Sequence, residues 1–219
     1  MNGSLLQDIA AYGPGFLKAA WLVLWLTLLT ILVSWACGLL AALAQRSELR
    51  LVRGAAAFYI WFIRGTPALI QIFIIYFGLP QLGLRLSPFT AGVIALGINS
   101  GAYVAEIVRS GLSAIHRGQT ESALALGFSQ SQTMRTIVLP QVFRIILPSI
   151  TNEAISTLKN TSLLSTITVV ELTLYAQTLI SATFRPFDFY IAVAVIYLVL
   201  TTVLTQIANW AERRYARLS

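Results

Sequence analysis

Residues that carry most enzymatic and metal chemistry are scarce in this chain. It contains one cysteine, one histidine and two lysines, and no segment matches the G-x-x-x-x-G-K-S/T phosphate-binding loop. The lone Cys37 excludes a disulfide framework, and one cysteine with one histidine excludes the common zinc sites and a Cys–His nucleophilic pair. The sequence therefore predicts no catalytic residue, no metal site and no bound cofactor. Any ATP must be bound by a partner subunit.

Charge is also rare in this sequence. Charged residues make up 11% of it, whereas hydrophobic residues make up 57% and the mean hydropathy is +0.77. Soluble domains use about 25% charged residues, so this composition is typical of a chain in a lipid bilayer. Five segments are long enough to cross the hydrocarbon core as helices. They predict an all-α integral membrane protein that forms one transmembrane domain over residues 1–219, with spans at about 17–43, 57–79, 89–110, 143–168 and 188–210.

The placement of the arginines predicts the orientation of these spans. If all five cross the membrane with the N-terminus outside, ten arginines lie on the cytoplasmic side, whereas Lys18, Arg85 and Arg185 lie outside. The fourth segment is the least apolar, but leaving it out would place the Arg213–Arg217 tail outside, against the same rule. We therefore expect an external N-terminus and a cytoplasmic C-terminus. Because orientation explains most of the net charge of +7, that charge does not indicate a nucleic-acid partner.

Polar and ionisable side chains inside the spans are candidates for a transport path, because each costs free energy to insert into the bilayer. In the third span they recur at i, i+4 and i+7, and in the fourth at i, i+3 and i+7, so each set forms one stripe on its helix. We expect the first stripe to face a partner helix or a cavity, and two such stripes on adjacent helices are able to line one path. The stripes consist of Asn99, Tyr103 and Glu106 in the third span and Glu153, Ser156 and Asn160 in the fourth.

Structural roles are the alternative for each of these residues. Arg64 is expected to reach the membrane interface or to bond backbone carbonyls that the nearby glycine and proline free. Glu106 lies three residues before Arg109 and is expected to pair with it. Asn99 and Glu153 lie deeper in their spans, and for them substrate contact or gating and a packing role stay equally open.

A polar, helix-forming insert follows the third span. Thr120 is expected to cap a first short helix, and Gly127 is expected to end it in a left-handed conformation. Ser129 and Gln132 match a capping box for a second short helix, which Pro140 either ends or passes on to the next span. Two short helices at an angle would form a compact docking surface on the aqueous side of the membrane.

The spacing within this insert, about residues 117–140, resembles a known signature. The pattern Glu-x-Ala, three residues, Gly, nine residues, Ile-x-Leu-Pro is similar to that of the membrane subunits of bacterial ATP-binding cassette (ABC) importers. In that family the segment is the cytoplasmic coupling helix that sits in a cleft of the ATPase, and we call it the coupling segment. The matching residues are Glu121, Ala123, Gly127, Ile137, Leu139 and Pro140.

Three further motifs resemble the polar amino-acid branch of the same permease family. They lie at 62–71, 98–107 and 158–163, so the resemblance covers nearly the whole chain. The first of them adds Thr66 to the candidate path residues. The sequence departs from the family where Asn160 replaces the usual aspartate, which weakens the case for a basic amino-acid substrate, and where a serine replaces an alanine in the coupling segment.

The resemblance implies a type I ABC importer in the bacterial inner membrane. In such an importer two five-helix permease subunits, identical or homologous, surround a central path. Two ABC ATPase subunits lie beneath them, and a periplasmic or lipid-anchored amino-acid binding protein lies above. The substrate is expected to be glutamine-like or glutamate-like, with a basic amino acid such as arginine or histidine as the alternative. The chain itself is expected not to be an enzyme.

Two other function classes are open from the sequence. A secondary transporter or channel subunit would also show buried charges and polar stripes, but it would have no reason to carry a capped two-helix insert on the cytoplasmic side. An integral-membrane enzyme of lipid metabolism would need a catalytic constellation that faces one interface, and the sequence shows none. Copurification of an ATPase distinguishes an importer subunit from both.

Overall fold

The computed structural model describes residues 5–216, and in that range the chain is helical with no β-strand. The helices are α1 (Leu5–Ala44), α2 (Arg50–Gly65), α3 (Ala68–Phe73), α4 (Pro88–Ala114), α5 (Arg117–Ala125), α6 (Gln130–Thr133), α7 (Leu139–Asn160), α8 (Leu172–Thr183) and α9 (Pro186–Ala216). Three of them continue into π or 3₁₀ turns: α3 into Ile74–Gly78 and Leu79–Leu82, α6 into Met134–Val138, and α7 into Thr161–Ile167.

Three of these helices, α1, α4 and α9, are long and apolar enough to cross a membrane unaided. Two further pairs qualify only as bent units: α2 with the segment 68–82, at 112°, and the segment 130–167 with α8, at 47°. The chain therefore has three candidate spans, or up to five if each bent pair is one span. Sequence analysis did not predict α8.

The prediction of one continuous helix over 57–79 is wrong. Helix α2 ends at Gly65, and Thr66 adopts an extended conformation with φ −121° and ψ 148°. The cause is local, because Pro67 has no N–H to continue the helical ladder and its ring pushes the preceding residue out of the helical region. A new helix starts at Ala68 in a different direction. The break leaves carbonyl groups at the end of α2 without helical partners.

Helix α4 is the centre of the structure. In its most apolar stretch 72% of the residues are buried, against 39% in α1 and 6% in α9. The largest core cluster forms where α4 meets α1, α3 and the turn that follows α7. Its fully buried side chains include Leu26, Ile72, Leu96, Leu164 and Ile167.

Glycines bring α1 and α4 into close contact. A Cβ atom at Gly101 would lie 2.7 Å from Cys37 Cβ and 3.2 Å from the Ser34 carbonyl oxygen, and one at Gly97 would lie 2.4 Å from Val33 Cγ1. Gly97 and Gly101 are four residues apart and thus lie on one face of α4. This is the small-residue spacing that lets two membrane helices approach backbone to backbone.

Glu171 fixes the start of α8 and was missed by the sequence analysis. Its carboxylate is fully buried and accepts hydrogen bonds from the backbone N–H of Thr173 at 2.8 Å and of Leu174 at 3.1 Å, so it caps the helix. The Tyr197 hydroxyl of α9 donates to the same carboxylate at 3.0 Å. One acidic side chain thereby joins α8 to α9.

The α1–α4 contact predicts that Gly101→Val destabilises the protein. The valine has no space against Cys37 and the Ser34 carbonyl, and overpacking of this kind costs about 1–3 kcal/mol. Thermal unfolding of the purified chain in detergent measures the effect as a lower midpoint temperature. Gly54→Val in α2 is the matched control, because a Cβ at Gly54 has no atom within 4 Å. Equal midpoints for the two variants would contradict the close contact.

Candidate functional site

The coupling segment begins at a histidine cap. His116 Nδ1 accepts a hydrogen bond from the Gly118 N–H at 3.2 Å, and α5 starts at Arg117. The prediction that Thr120 caps this helix is therefore wrong, since Thr120 lies within the first turn. The imidazole of His116 occupies the capping position directly before Arg117, and the sequence analysis did not predict this role.

The end of α5 and the start of α6 are as predicted. Gly127 has φ +84°, its N–H donates to the Leu124 carbonyl at 3.0 Å, and the next N–H donates to the Ala123 carbonyl at 3.1 Å. These two bonds define a Schellman motif, which needs the left-handed residue that glycine supplies. Ser129 and Gln132 form the predicted capping box, with bonds of 3.3 Å and 2.9 Å.

The second short helix of the coupling segment is continuous with the fourth long helix. From Gln130 the chain runs through α6, a π turn at Met134–Val138, α7 and a 3₁₀ turn to Ile167. Pro140 does not end this helix: it lies at the second residue of α7, directly after the π turn at Met134–Val138, and the backbone stays helical through it. Of the two possibilities left open for Pro140, the structure shows that it passes the helix on to the next span.

The tip of the coupling segment exposes apolar side chains. Ala123 is buried at 2% exposure, whereas Leu124, Leu126 and Phe128 are 41%, 79% and 38% exposed. Glu121 is also exposed and lines a cavity of about 390 Å³ beside this tip. Contiguous exposed apolar residues with a polar rim mark an interaction surface. Ile137 is half-buried and Leu139 is 46% exposed, so both lie nearer the base of the segment.

At the helix break, Gln71 satisfies the carbonyl groups that α2 leaves open. Its amide nitrogen lies 2.9 Å from the Ile63 carbonyl oxygen, 3.1 Å from the Thr66 carbonyl oxygen and 2.8 Å from Thr66 Oγ1. The Thr66 hydroxyl in turn donates to the Phe62 carbonyl at 2.9 Å. Thr66, a predicted path residue, is thus one of the groups that hold the break. Gln71 is 5% exposed, so these bonds are shielded from solvent.

The polar stripe of α4 faces this broken helix. The Asn99 amide donates to Gln71 Oε1 at 3.0 Å, and Asn99 is only 7% exposed. One turn further on, the Arg64 guanidinium lies 5.6 Å from the Tyr103 ring centroid and 3.8 Å from Glu106 Oε2. The expectation that the stripe faces a partner helix is confirmed.

Arg64 lies 3.8 Å from the Glu106 carboxylate, whereas Gln71 and Thr66 bond the Ile63 and Phe62 carbonyls of α2. The expectation that Arg64 reaches the membrane interface stays a prediction. Glu106 also accepts from Arg109 Nε at 3.0 Å, as predicted from their spacing. Two arginines therefore flank one carboxylate at the inner end of the stripe. The Arg64 side chain is 42% exposed and remains open on one side.

Glu153 lies on the opposite side of α4 from the break. Ser100 donates to Glu153 Oε1 at 2.8 Å, and the Thr157 hydroxyl lies 3.2 Å from Ser100 Oγ. These groups line a cavity of about 190 Å³ between α1, α4, α7 and α9. Within one chain the two predicted stripes do not meet, because Asn99 points to α3 while its neighbour Ser100 points to α7. Asn160, at the end of α7, is half-buried.

Over residues 5–216 no three His, Cys, Asp or Glu side chains are placed to hold a metal ion. Several polar groups in the interior of the fold are paired with each other across helices. Such pairs link α2, α3, α4 and α7 into one connected unit that extends to the coupling segment.

Comparison with known proteins gives one family and several close relatives. Residues 34–217 match the family model described as a binding-protein-dependent transport system inner membrane component. The chain is 41% identical over 203 residues to the glutamine transport system permease protein GlnP of Escherichia coli strain K12, covering 92% of this chain and 93% of GlnP. It is 34% identical over 221 residues to the L-cystine transport system permease protein TcyL of Bacillus subtilis strain 168, covering 98% and 90%.

A solved structure, described as an amino acid ABC transporter with histidines, superimposes with a TM-score of 0.91. Its sequence is 40% identical, and the alignment covers 98% of this chain and all of the solved chain. The type I ABC importer permease fold expected from the resemblance is confirmed at the level of the fold.

The Gln71 bonds predict that Gln71→Leu lowers stability. The leucine keeps the volume but leaves the Ile63 carbonyl and the Asn99 amide unpaired, at a cost of about 1–3 kcal/mol for each group. Thermal unfolding in detergent measures this loss, with Gln81→Leu on the exposed 3₁₀ turn as the matched control.

A double-mutant cycle with Asn99→Leu isolates the contact between the two amides. If Asn99 and Gln71 act together, the second substitution adds less than it does alone, by about 0.5–3 kcal/mol. Strict additivity would contradict a shared bond.

Proposed function

This chain belongs to the family of binding-protein-dependent transport system inner membrane components, and we propose that it is the permease subunit of an ATP-driven importer of polar amino acids. The observation that carries the proposal is the continuous helical segment from Gln130 to Ile167. It connects an exposed apolar tip to the polar core of the fold, which is what a subunit driven by a separate motor needs. As a permease subunit of an ABC transporter, the chain is a transport component.

The membrane topology is part of the proposal. Five spans with an external N-terminus, counting each bent helix pair as one span, place ten arginines and the coupling segment in the cytoplasm. The bacterial inner membrane is the compartment in which this orientation and a binding-protein-dependent system fit together. Helix α9, of which little is buried within the chain, then faces lipid or a second permease subunit.

The partners follow from what this chain lacks. ATP is bound and hydrolysed by separate ABC ATPase subunits, for which the exposed Leu124, Leu126 and Phe128 offer an apolar docking surface. A second permease subunit, identical or homologous, completes the path, since the cavity that Glu153 lines includes neither Thr66 nor Asn99. An amino-acid binding protein delivers substrate from the outside.

We propose that the path residues act in two groups. Thr66, Asn99, Tyr103 and Glu106 hold or border the broken helix α2–α3, so that a change of its bend opens or closes the path. Glu153 offers a carboxylate to the ammonium group of an amino acid, at a cavity between helices.

The substrate class proposed is a polar amino acid of the glutamine or glutamate kind. GlnP of Escherichia coli, a glutamine permease by name, supports this class. The amide of Asn160, in place of the aspartate that the family resemblance leads one to expect, removes one negative charge and disfavours basic amino acids. Competition of uptake by a panel of amino acids tests the class, and strong preference for arginine or histidine would contradict it.

Uptake into proteoliposomes that contain the assembled importer tests the role of Glu153. Glu153→Ala is expected to raise the substrate concentration for half-maximal uptake by tenfold or more, because a lost charged contact costs about 1.5–3 kcal/mol. Ser100→Ala is the matched control, since it removes the hydrogen-bond donor but keeps the carboxylate. Unchanged uptake by Glu153→Ala at equal protein level would remove Glu153 from the path.

If the coupling segment docks the ATPase, Gly127→Val should impair coupling to the ATPase and leave substrate contacts unchanged. A Cβ at Gly127 meets no atom within 4 Å, so the substitution acts only through its left-handed backbone, at about 1–2 kcal/mol or more for a branched residue. The expected result is reduced ATPase copurification and reduced hydrolysis stimulated by loaded binding protein. Gly127→Asn is the matched control, because asparagine tolerates this conformation.

Equal behaviour of Gly127→Val and the wild type in both assays would show that the coupling segment is not the ATPase docking element. A defect of the same size in Gly127→Asn would assign the effect to the added side chain rather than to the turn.

A further inference from the structure

A cavity of about 460 Å³ lies where the end of α1, the start of α2 and the end of α4 come together. It is separate from the helix break, and it shares Arg46 and Leu112 with the neighbouring cavity that Glu121 lines. The transport mechanism proposed above does not use it. Polar side chains form much of its wall. The lining residues are Ala42, Gln45, Arg46, Arg53, Ala57, Arg109, Leu112 and Ser113.

The wall of this cavity carries three arginines and no carboxylate. Arg109 is neutralised by Glu106, which lies outside the lining. Arg53 donates one hydrogen bond to the Ser47 carbonyl at 3.2 Å, and among residues 5–216 neither Arg46 nor Arg53 forms an ion pair. Two positive charges thus face the cavity without an ion pair in the described part of the chain.

Three exposed leucines lie close in sequence to the arginines of this cavity, outside its lining. Leu43, Leu49 and Leu51 adjoin its arginines in sequence and are 68%, 68% and 86% exposed. Apolar side chains so fully exposed are unfavourable in water but fit the acyl chains of a bilayer. The cavity therefore lies at the boundary where charged lipid headgroups meet hydrocarbon, on the side that the arginine distribution assigns to the cytoplasm.

We propose that this cavity binds the phosphate of an anionic phospholipid, of the phosphatidylglycerol type, from the inner leaflet. Guanidinium groups match phosphate oxygens in geometry and charge, and basic pockets between membrane helices on the cytoplasmic side suit such headgroups. A zwitterionic headgroup fits less well, because its ammonium group would find three arginines and no carboxylate. The leucines hold the acyl chains, which a free phosphate ion would not use.

Native mass spectrometry of the delipidated full-length chain in detergent tests this assignment. Phosphatidylglycerol is expected to bind more tightly than phosphatidylcholine. Arg46→Gln/Arg53→Gln should weaken phosphatidylglycerol binding about thirtyfold, at about fivefold for each arginine. Arg213→Gln/Arg214→Gln is the matched control, since it removes two exposed arginines from the same side of the membrane but outside the cavity, and it should change binding less than twofold.

Two further variants protect the test against a folding defect. Arg46→Gln alone breaks no side-chain bond described in the chain and is expected to weaken binding about fivefold. Arg46→Lys/Arg53→Lys keeps both charges and should retain most of the preference. Amino-acid uptake is measured separately, so that failure of the importer assignment and failure of this site are distinguishable.

Three results would overturn the assignment. Equal binding of phosphatidylglycerol by Arg46→Gln/Arg53→Gln and the wild type would show that these two arginines do not bind the lipid. Displacement of the lipid by glycerol phosphate at equal affinity would show a site for a soluble phosphate. Lost ATPase copurification with lipid binding intact would show that the arginines meet an acidic surface of the partner subunit.

Discussion

The amide of Gln71 stabilises the sharp bend of this chain by bonding carbonyl groups that the broken helix leaves open. A helix that stops inside a bilayer exposes carbonyl groups, and each unsatisfied group costs free energy. At the Thr66–Pro67 break one amide group bonds the open carbonyls and accepts from Asn99 of the central helix. The bend of 112° is therefore fixed to α4 rather than free. Arg64 pairs with Glu106 further along the same interface.

The central helix α4 connects this break to the rest of the fold. Its glycines lie against α1, its Asn99 holds α3, and its Ser100 bonds Glu153 of α7. Helix α7 is continuous with the coupling segment. A displacement at the exposed tip can therefore reach the broken helix through packed and hydrogen-bonded groups alone, which gives the proposed coupling a physical route. Close-packed interfaces transmit such shifts because they have few alternative arrangements.

Predictions that depended on neighbouring residues were mostly right. Gly127 and the Ser129–Gln132 capping box are correct, since each involves bonds that span a few residues. The prediction that Thr120 caps α5 was wrong because His116 Nδ1 caps this helix instead, and histidine is not among the usual caps. Glu171 was missed because glutamate is not among the usual caps either, and because its further partner Tyr197 lies 26 residues away.

The sequence by itself determined that this is an all-helical chain of the permease family, and where its apolar segments lie. The helical, apolar character follows from composition and periodicity, whereas the family follows from the resemblance of its motifs. The tertiary structure alone decided which polar groups pair. It placed Asn99 against Gln71 and its neighbour Ser100 against Glu153, so that the two predicted stripes separate instead of meeting. The physical reason is that consecutive helical residues point about 100° apart, and only the packing of neighbouring helices determines what each one meets.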